Sequence, residues 1–191
     1  LHAKVVLLVT AVLLVLGTVL IFALEYNNPQ TLQPLPFHEK LLVAFFQGTT
    51  PRSAGFSILN INEMHAGSIF ITIVLMFIGA APSSMTGGIK ITTVFILVMT
   101  VVSLARGRED TEVFYRRLPR ENVYKALSII IILAFVHFIA FILLTFTEQR
   151  DFLSLFFDVT SAVGTAGLSM GAMADFSVVG KLVIAVIMFI G

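Results

Sequence analysis

The sequence predicts an all-α polytopic membrane protein that contains two similar units of helix, short helix, loop and helix. Hydrophobic residues make up 58% of the 191 residues and charged residues only 12%, whereas a soluble domain has about 25% charged residues. Two apolar runs are each long enough to cross a bilayer, and a glycine-bearing loop occurs twice. The chain contains no cysteine, which excludes disulfides, thiol catalysis and cysteine-ligated metals from it.

The first unit begins with an apolar run over residues 5–24. A helix of about twenty residues rises about 30 Å, the thickness of the hydrocarbon core of a bilayer, so this run predicts a spanning helix. Residues 26–36 hold three prolines and predict an exposed loop. Residues 37–48 form a shorter apolar segment with the length of a re-entrant helix, and a loop of small and hydroxyl residues follows over residues 49–57.

The next crossing of the first unit is predicted to be broken. Residues 66–79 are apolar but too short to span, so the chain must continue through residues 80–90 into a further apolar stretch. The connecting residues include Pro82 and the adjacent Gly87 and Gly88. Irregular backbone of this kind is stable at membrane depth only where it is buried in protein or lines a wet cavity.

The distribution of basic residues predicts the orientation in the membrane. Residues 106–125 hold five arginines and one lysine, whereas residues 26–36 hold no Lys or Arg. Since cytoplasmic loops are enriched in basic residues, residues 106–125 are expected in the cytoplasm and residues 26–36 outside.

The second unit repeats the order of the first. Residues 126–146 predict a full span, residues 152–163 a short re-entrant helix and residues 164–169 a second small-residue loop, and residues 181–191 begin another spanning helix. The chain does not start with methionine and stops inside an apolar run, so both ends are expected to be truncations of a longer chain.

An offset of 112 residues aligns the two units without a gap. It pairs Gly55 with Gly167 and Ser57 with Ser169. Further identities at this offset are Leu41 with Leu153, Phe45 with Phe157, Ala54 with Ala166, and residues 76–79 with residues 188–191. Both loops are expected on the outer side, which predicts parallel repeats about an axis along the membrane normal.

Each of the two loops follows a short helix and centres on a glycine. Successive backbone carbonyls that point the same way can replace the hydration shell of an ion such as K⁺. Glycine adopts the backbone conformations that this needs without steric cost, and the C-terminal end of each short helix adds negative potential. Neither loop contains a carboxylate, which favours backbone carbonyls over charged side chains as ion ligands.

These features resemble the superfamily of potassium transporters that includes KtrB, TrkH and the plant HKT proteins, and KtrB most of all. In that family, four span–pore helix–span repeats of potassium-channel type surround one pore. Residues 50–56 resemble the selectivity filter of the third repeat, residues 162–169 that of the fourth, and residues 79–90 the intramembrane gating loop. That loop usually has three successive glycines, whereas here it has two adjacent glycines and a proline that adds stiffness.

The resemblance implies roles for ranges and for particular residues. Residues 1–105 would form the third repeat with the gating loop at residues 80–90, residues 106–125 a cytoplasmic linker, and residues 126–191 the fourth repeat, truncated in its last span. The filter residues that it implies are Ser53, Ala54, Gly55, Gly164, Thr165, Ala166 and Gly167. The gating-loop residues that it implies are Ser83, Ser84, Thr86, Gly87 and Gly88.

The same resemblance implies K⁺ uptake across the cell membrane by a multi-pass subunit in the lipid bilayer. K⁺ would be the transported ion, held by filter carbonyls, with no covalently bound cofactor, and transport would be stimulated by Na⁺. The full-length subunit would form a homodimer and bind a cytoplasmic, KtrA-like ring of nucleotide-binding regulatory subunits. No enzymatic activity and no nucleic-acid partner are expected.

Two other classes of protein remain as alternatives. A secondary transporter for another cation or a small solute would also have broken spans and parallel repeats, but it would place polar side chains at the midplane. A membrane enzyme would need a nucleophile–base pair or an acidic cluster at membrane depth, and the sequence offers neither. Beside the loops, Arg52 is expected to pair with an acid, and His137 to be a neutral hydrogen-bonding group between helices.

Overall fold

The computed structural model describes residues 2–52, 54–82, 84, 87–107, 112–113 and 116–191. Seven α-helices lie in this part of the chain: α1 (His2–Glu25), α2 (Phe37–Thr49), α3 (Ala66–Phe77), α4 (Ile91–Ala105), α5 (Arg120–Thr147), α6 (Phe152–Val163) and α7 (Val178–Ile190). Two-residue strands β1 (Glu112–Val113) and β2 (Arg116–Arg117) pair antiparallel between α4 and α5. Residues 108–111 and 114–115 of the predicted linker lie outside the described residues.

Helices α1 and α5 are the two described helices that are long and apolar enough to cross a membrane on their own. Both present large apolar side chains outward, among them Leu7, Val15, Ile132 and Phe135, as a lipid-facing helix does. Helix α5 begins at Arg120, inside the predicted linker of residues 106–125. The first turns of α5 are polar and include an ion pair between Glu121 and Lys125, one turn apart. The apolar residues that indicate contact with lipid begin after these turns.

The predicted break in the second crossing is confirmed. Helix α3 ends at Phe77 and helix α4 begins at Ile91. The two ends of the intervening segment lie side by side, because Ile78 and Ile89 form a parallel bridge in which the Ile89 amide donates to the Phe77 carbonyl over 3.1 Å. We call residues 80–90 the break loop.

Each unit packs its short helix against its first span. In the first unit the contact is close at two glycines, because a methyl group on Gly48 would lie 2.8 Å from the Thr18 backbone nitrogen. Gly17 lies opposite, on α1, and its methyl position is 3.4 Å from the Gly48 carbonyl oxygen. Small residues allow such close helix contact in membranes, and they bring α2 into position beside α1.

A buried carboxylate at the C-terminal end of each first span binds the start of the second span. The Glu25 carboxylate accepts the His65 amide at 2.8 Å, directly before α3. The Glu148 carboxylate accepts the Ser177 amide at 3.1 Å, directly before α7. Both groups lie at the positive end of a helix, where a carboxylate is stabilising. His65 and Ser177 are 112 residues apart, so this contact is part of the repeat.

We expect Gly48→Ala to lower the free energy of unfolding by about 1–3 kcal/mol, because the added methyl would overpack the contact between α1 and α2. Gly67→Ala is the matched control, since its methyl would meet only Leu24 at an ordinary 3.4 Å and alanine is the better helix former. Thermal denaturation of the purified protein in detergent measures both. Equal midpoints for the two variants would contradict the close contact.

Candidate functional site

Two glycine-bearing loops follow the C-terminal ends of the short helices. The first glycine loop (residues 53–57) follows α2 and the 3₁₀ turn Thr50–Arg52. The second glycine loop (residues 164–169) follows α6 directly. Backbone hydrogen bonds fix the start of each loop to its helix end, since the Ala54 amide donates to Thr50 over 3.2 Å and the Ala166 amide to Ser161 over 2.9 Å.

The two loops meet at their glycines. Gly55 has φ +71° and Gly167 φ +82°, the left-handed region that glycine adopts without a steric penalty. A methyl group on Gly167 would lie 3.2 Å from the Gly55 Cα, and one on Gly55 would lie 3.3 Å from the Ala166 carbonyl oxygen. The backbones therefore approach each other with no side chain between them.

Several carbonyl oxygens of the two loops accept no hydrogen bond from a described residue, whereas the Phe56 carbonyl accepts the Thr50 hydroxyl. Within the described residues, no hydrogen bond is donated to the carbonyls of residues 54–55 or 164–167. An unbonded carbonyl at membrane depth costs several kcal/mol unless another partner replaces the missing donor. Helices α2 and α6 both end at these loops, so the negative ends of two helix dipoles reinforce the potential of the carbonyls.

A buried polar side chain of each short helix binds the far end of its loop. The Asp158 carboxylate, which is 0% exposed, accepts the Met170 amide at 3.0 Å and lies 3.2 Å from the Ser169 hydroxyl. In the first unit, the Gln47 side chain bonds the equivalent Ser57 hydroxyl at 3.1 Å. The sequence interpretation missed both anchors, although a carboxylate inside an otherwise apolar re-entrant helix is a signal of a specific partner.

The break loop lies against the base of the second glycine loop. The Gly87 amide donates to the Thr165 hydroxyl over 2.7 Å, and a methyl group on Gly88 would lie 3.6 Å from the Gly164 Cα. A methyl on Gly164 would lie 2.7 Å from the Met76 carbonyl oxygen at the end of α3. Backbone therefore packs on backbone here, and this close approach explains why glycines are found on both sides.

The structure brings together two groups of the residues that the sequence singled out. Gly55 lies beside Ala166 and Gly167, where the two loops meet, and Ala54 is the residue that precedes it. Gly87 and Gly88 lie beside Gly164 and Thr165, at the base of the second loop. The Ser84 carbonyl accepts the Lys90 ammonium at 3.1 Å. Ser53, Ser83 and Thr86 lie outside the described residues.

Two expectations about neighbouring side chains were wrong. Arg52 has no acidic partner in the described part of the chain, and its guanidinium reaches the Thr10 carbonyl at 3.5 Å instead. His137 makes no hydrogen bond to any described residue. Its ring packs edge-on against Phe77 and Phe156, with centroids 5.9 Å and 4.8 Å away, in the wall of an apolar cavity of about 570 Å³.

The whole chain, residues 1–191, matches the family described as "TrkH: Cation transport protein". This chain belongs to that family. The resemblance seen in the sequence is thereby confirmed, and the chain is part of a multi-pass membrane protein.

Curated relatives extend beyond this chain. The Ktr system potassium uptake protein B of Bacillus subtilis (strain 168) is 41% identical over 191 residues, which cover 100% of this chain and 43% of the relative. The protein of the same name from Vibrio alginolyticus is 36% identical over 190 residues, covering 100% and 42%. The potassium/sodium uptake protein NtpJ of Enterococcus hirae is 36% identical over 195 residues, covering 100% and 43%. The chain therefore spans less than half the length of these relatives.

A solved structure has the same fold. The crystal structure of the potassium transporter TrkH from Vibrio parahaemolyticus matches with a TM-score of 0.75 at 21% identity, covering 96% of this chain and 41% of that chain. This match confirms the predicted fold class, an all-α membrane protein with repeated short-helix units.

We expect Asp158→Leu to lower the free energy of unfolding by about 1–3 kcal/mol, because it leaves the partly buried Met170 amide without its acceptor. Asp158→Asn keeps one acceptor and should lose less. Amide hydrogen exchange of residues 166–173, together with thermal denaturation, measures both effects.

Asp175→Asn is the control for this prediction, because Asp175 is an exposed partner of Arg150 and such pairs contribute about 0–1 kcal/mol. If Asp158→Leu left exchange of these amides as slow as in the control, Asp158 would not be the anchor of the loop.

Proposed function

We propose that this chain is the C-terminal half of a K⁺ uptake subunit, and that its two glycine loops are two of the strands of a backbone-carbonyl selectivity filter. The observation that supports this most directly is the contact of Gly55 with Gly167, both in the left-handed conformation. Equivalent strands of two parallel repeats meet only near the axis that relates the repeats. A pore on that axis would be lined by both strands.

The chemistry of the loops suits K⁺ better than a more strongly hydrated ion or an organic solute. Several successive carbonyls without hydrogen-bond donors can replace the hydration shell of a monovalent cation. Neither loop has a carboxylate, and the buried Asp158 turns to its own loop end. The named functions of the relatives from Bacillus and Vibrio, potassium uptake, agree with this assignment.

We further propose that the complete subunit has four repeats around one pore. Residues 1–105 would be the third repeat, residues 106–125 a cytoplasmic linker and residues 126–191 the fourth repeat. The chain aligns with 43% of the Bacillus relative, which leaves room there for two more repeats. Two strands alone cannot surround an ion, so conduction would require the complete subunit.

The break loop would be the gate of this pore. It lies at the base of the second glycine loop, and the contacts of Gly87 and Gly88 with that loop are made by backbone rather than by large side chains. A segment in this position would obstruct ions that leave the filter toward the cytoplasm. Irregular backbone at membrane depth is expected where it lines such a path.

The partners follow from the family resemblance. The full-length subunit would form a homodimer in the cell membrane, and the basic linker would face a cytoplasmic, nucleotide-binding, KtrA-like ring. The relative from Enterococcus is named for both potassium and sodium uptake, which supports an effect of Na⁺ on transport. The subunit would move ions without enzymatic catalysis.

A secondary transporter for another solute is the second candidate, since broken helices also occur in that class. It predicts polar side chains at the midplane that point to a substrate. Gln47 and Asp158, two of the buried polar side chains of the short helices, bond their own loops instead, which favours the carbonyl filter.

We expect Gly167→Ala in the full-length protein to reduce discrimination between K⁺ and Na⁺ by roughly tenfold, because the methyl would displace the facing backbone and its carbonyls. Gly171→Ala is the matched control, since Gly171 also has a positive φ, +88°, but its methyl would meet nothing within 4 Å. K⁺ uptake in a host without its own uptake systems, with competing Na⁺, measures both variants. Unchanged discrimination in Gly167→Ala would refute the filter assignment.

We expect Gly79→Ala to raise K⁺ flux, because its methyl would collide with the Gly87 carbonyl and push the break loop away from the filter. Shortening the loop within residues 80–88 should act in the same direction. Gly67→Ala, in the preceding helix α3, is the control, since its methyl would meet only Leu24 at an ordinary 3.4 Å. Flux into proteoliposomes is the measurement, and unchanged flux from well-folded variants would count against the gate.

A further inference from the structure

We propose that the Thr165 hydroxyl is the latch of the break loop, which it holds against the base of the second glycine loop by accepting the Gly87 amide. This inference deepens the proposed function and rests on it in taking the break loop as the gate. It assigns to Thr165 a positioning role in addition to the ion-ligand role of its carbonyl.

The backbone of Thr165 is the first observation. Its φ is +48°, and among the described residues it is the one non-glycine residue with a positive φ. A β-branched residue in the left-handed region is strained, and such strain persists where the surrounding contacts determine the conformation. Glycine would fit this backbone with less strain, so the side chain of Thr165 must contribute something that glycine lacks.

The contact of the hydroxyl is the second observation. The Gly87 amide donates to the Thr165 oxygen over 2.7 Å, although the two residues are 78 positions apart. Gly87 is buried, where an amide without an acceptor would be destabilising. Loss of the hydroxyl would therefore destabilise the position of the loop beneath the filter.

The packing around this bond is the third observation. Gly88 contacts Gly164, and a methyl on Gly87 would lie 2.7 Å from the Val163 carbonyl oxygen. Gly164 and Val163 therefore contact the break loop with backbone atoms. Within the described residues, the Thr165 hydroxyl is the one side-chain group of the second glycine loop that bonds the break loop. A change confined to this side chain thus tests the latch without removing the backbone contacts.

The latch also connects loop position to the filter. A hydroxyl oxygen has two lone pairs, and the Gly87 amide occupies one of them in this structure. When the loop leaves, that lone pair becomes free at the inner end of the filter. Opening of the break loop would therefore, at the same time, add a free hydroxyl lone pair to the lining of the filter.

The test compares Thr165→Val, which keeps the β-branched shape and removes the acceptor, with Thr165→Ser, which keeps the hydroxyl. Each is made in the full-length protein with the intact break loop and again with the shortened loop, and K⁺ flux is measured in proteoliposomes. With the intact loop, we expect Thr165→Val to raise K⁺ flux roughly 3- to 10-fold, because one hydrogen bond is lost. With the shortened loop, the same substitution should cause no further increase in flux. Thr165→Ser should lie nearer to the unsubstituted protein.

Thr145→Val is the control, because the Thr145 hydroxyl is exposed and bonds only the Phe141 carbonyl of its own helix. An equal effect of Thr165→Val in both loop backgrounds, or lower flux with the intact loop, would overturn the latch while leaving the gate intact. Failure of the shortened loop to raise flux would instead refute the gate.

A measurement of loop position decides the latch independently of flux. Ser84→Cys is introduced into the full-length protein without other cysteines, and its modification by a charged thiol reagent from the cytoplasmic side is timed. Thr165→Val should accelerate the modification, and Thr145→Val should not. The same rate in both would overturn the proposal, whatever the fluxes.

Discussion

Backbone-to-backbone contact at glycines is the constraint on which the rest of the structure depends. The two glycine loops meet at Gly55 and Gly167, and the break loop meets the base of the second loop at Gly88 and Gly164. Polar backbone of this kind is stable at membrane depth only when protein surrounds it. The short helices α2 and α6, with the spans beside them, supply that surrounding. The buried carboxylates Glu25 and Glu148 then bind the C-terminal ends of those spans to the helices that follow the loops, so that each loop is held between two joined helices.

Most of the fold could be predicted from the sequence, because helices in contact with lipid need apolar side chains. Runs of apolar residues therefore indicate where the helices lie. The short helices and the break between α3 and α4 were found within two residues of their observed ends. The repeated carboxylates at the C-terminal ends of the first spans were not found. The connection after α1 is longer than that after α5, so an alignment without gaps sets Glu25 opposite His137. Their equivalence depends on which helix start each carboxylate binds, and only the folded chain shows this.

The candidate site was predictable in its glycines and less so in its side chains. Glycine marks positions in a sequence where φ is positive, as at Gly55 and Gly167, or where another backbone comes too close for a side chain, as at Gly164. The hydrogen bond between Gly87 and Thr165 could not be predicted from the sequence. It joins positions 78 residues apart, and it depends on how the helices pack. For Arg52 and His137, by contrast, the sequence predicted partners that the structure does not have among the described residues. Their charge and polarity predicted partners, whereas Arg52 reaches a backbone carbonyl and His137 packs between aromatic rings.

The bridge between Ile78 and Ile89 has a consequence for timescale. It closes the break loop at its base, so the enclosed segment is joined to α3 and α4 at two neighbouring points. A displacement of this segment would require no tilt of either helix. Free loops move in nanoseconds to microseconds, whereas the opening of packed lids takes microseconds or longer. Because the segment packs against the second glycine loop, its movement would belong to the slower class, although the helices on either side could remain docked.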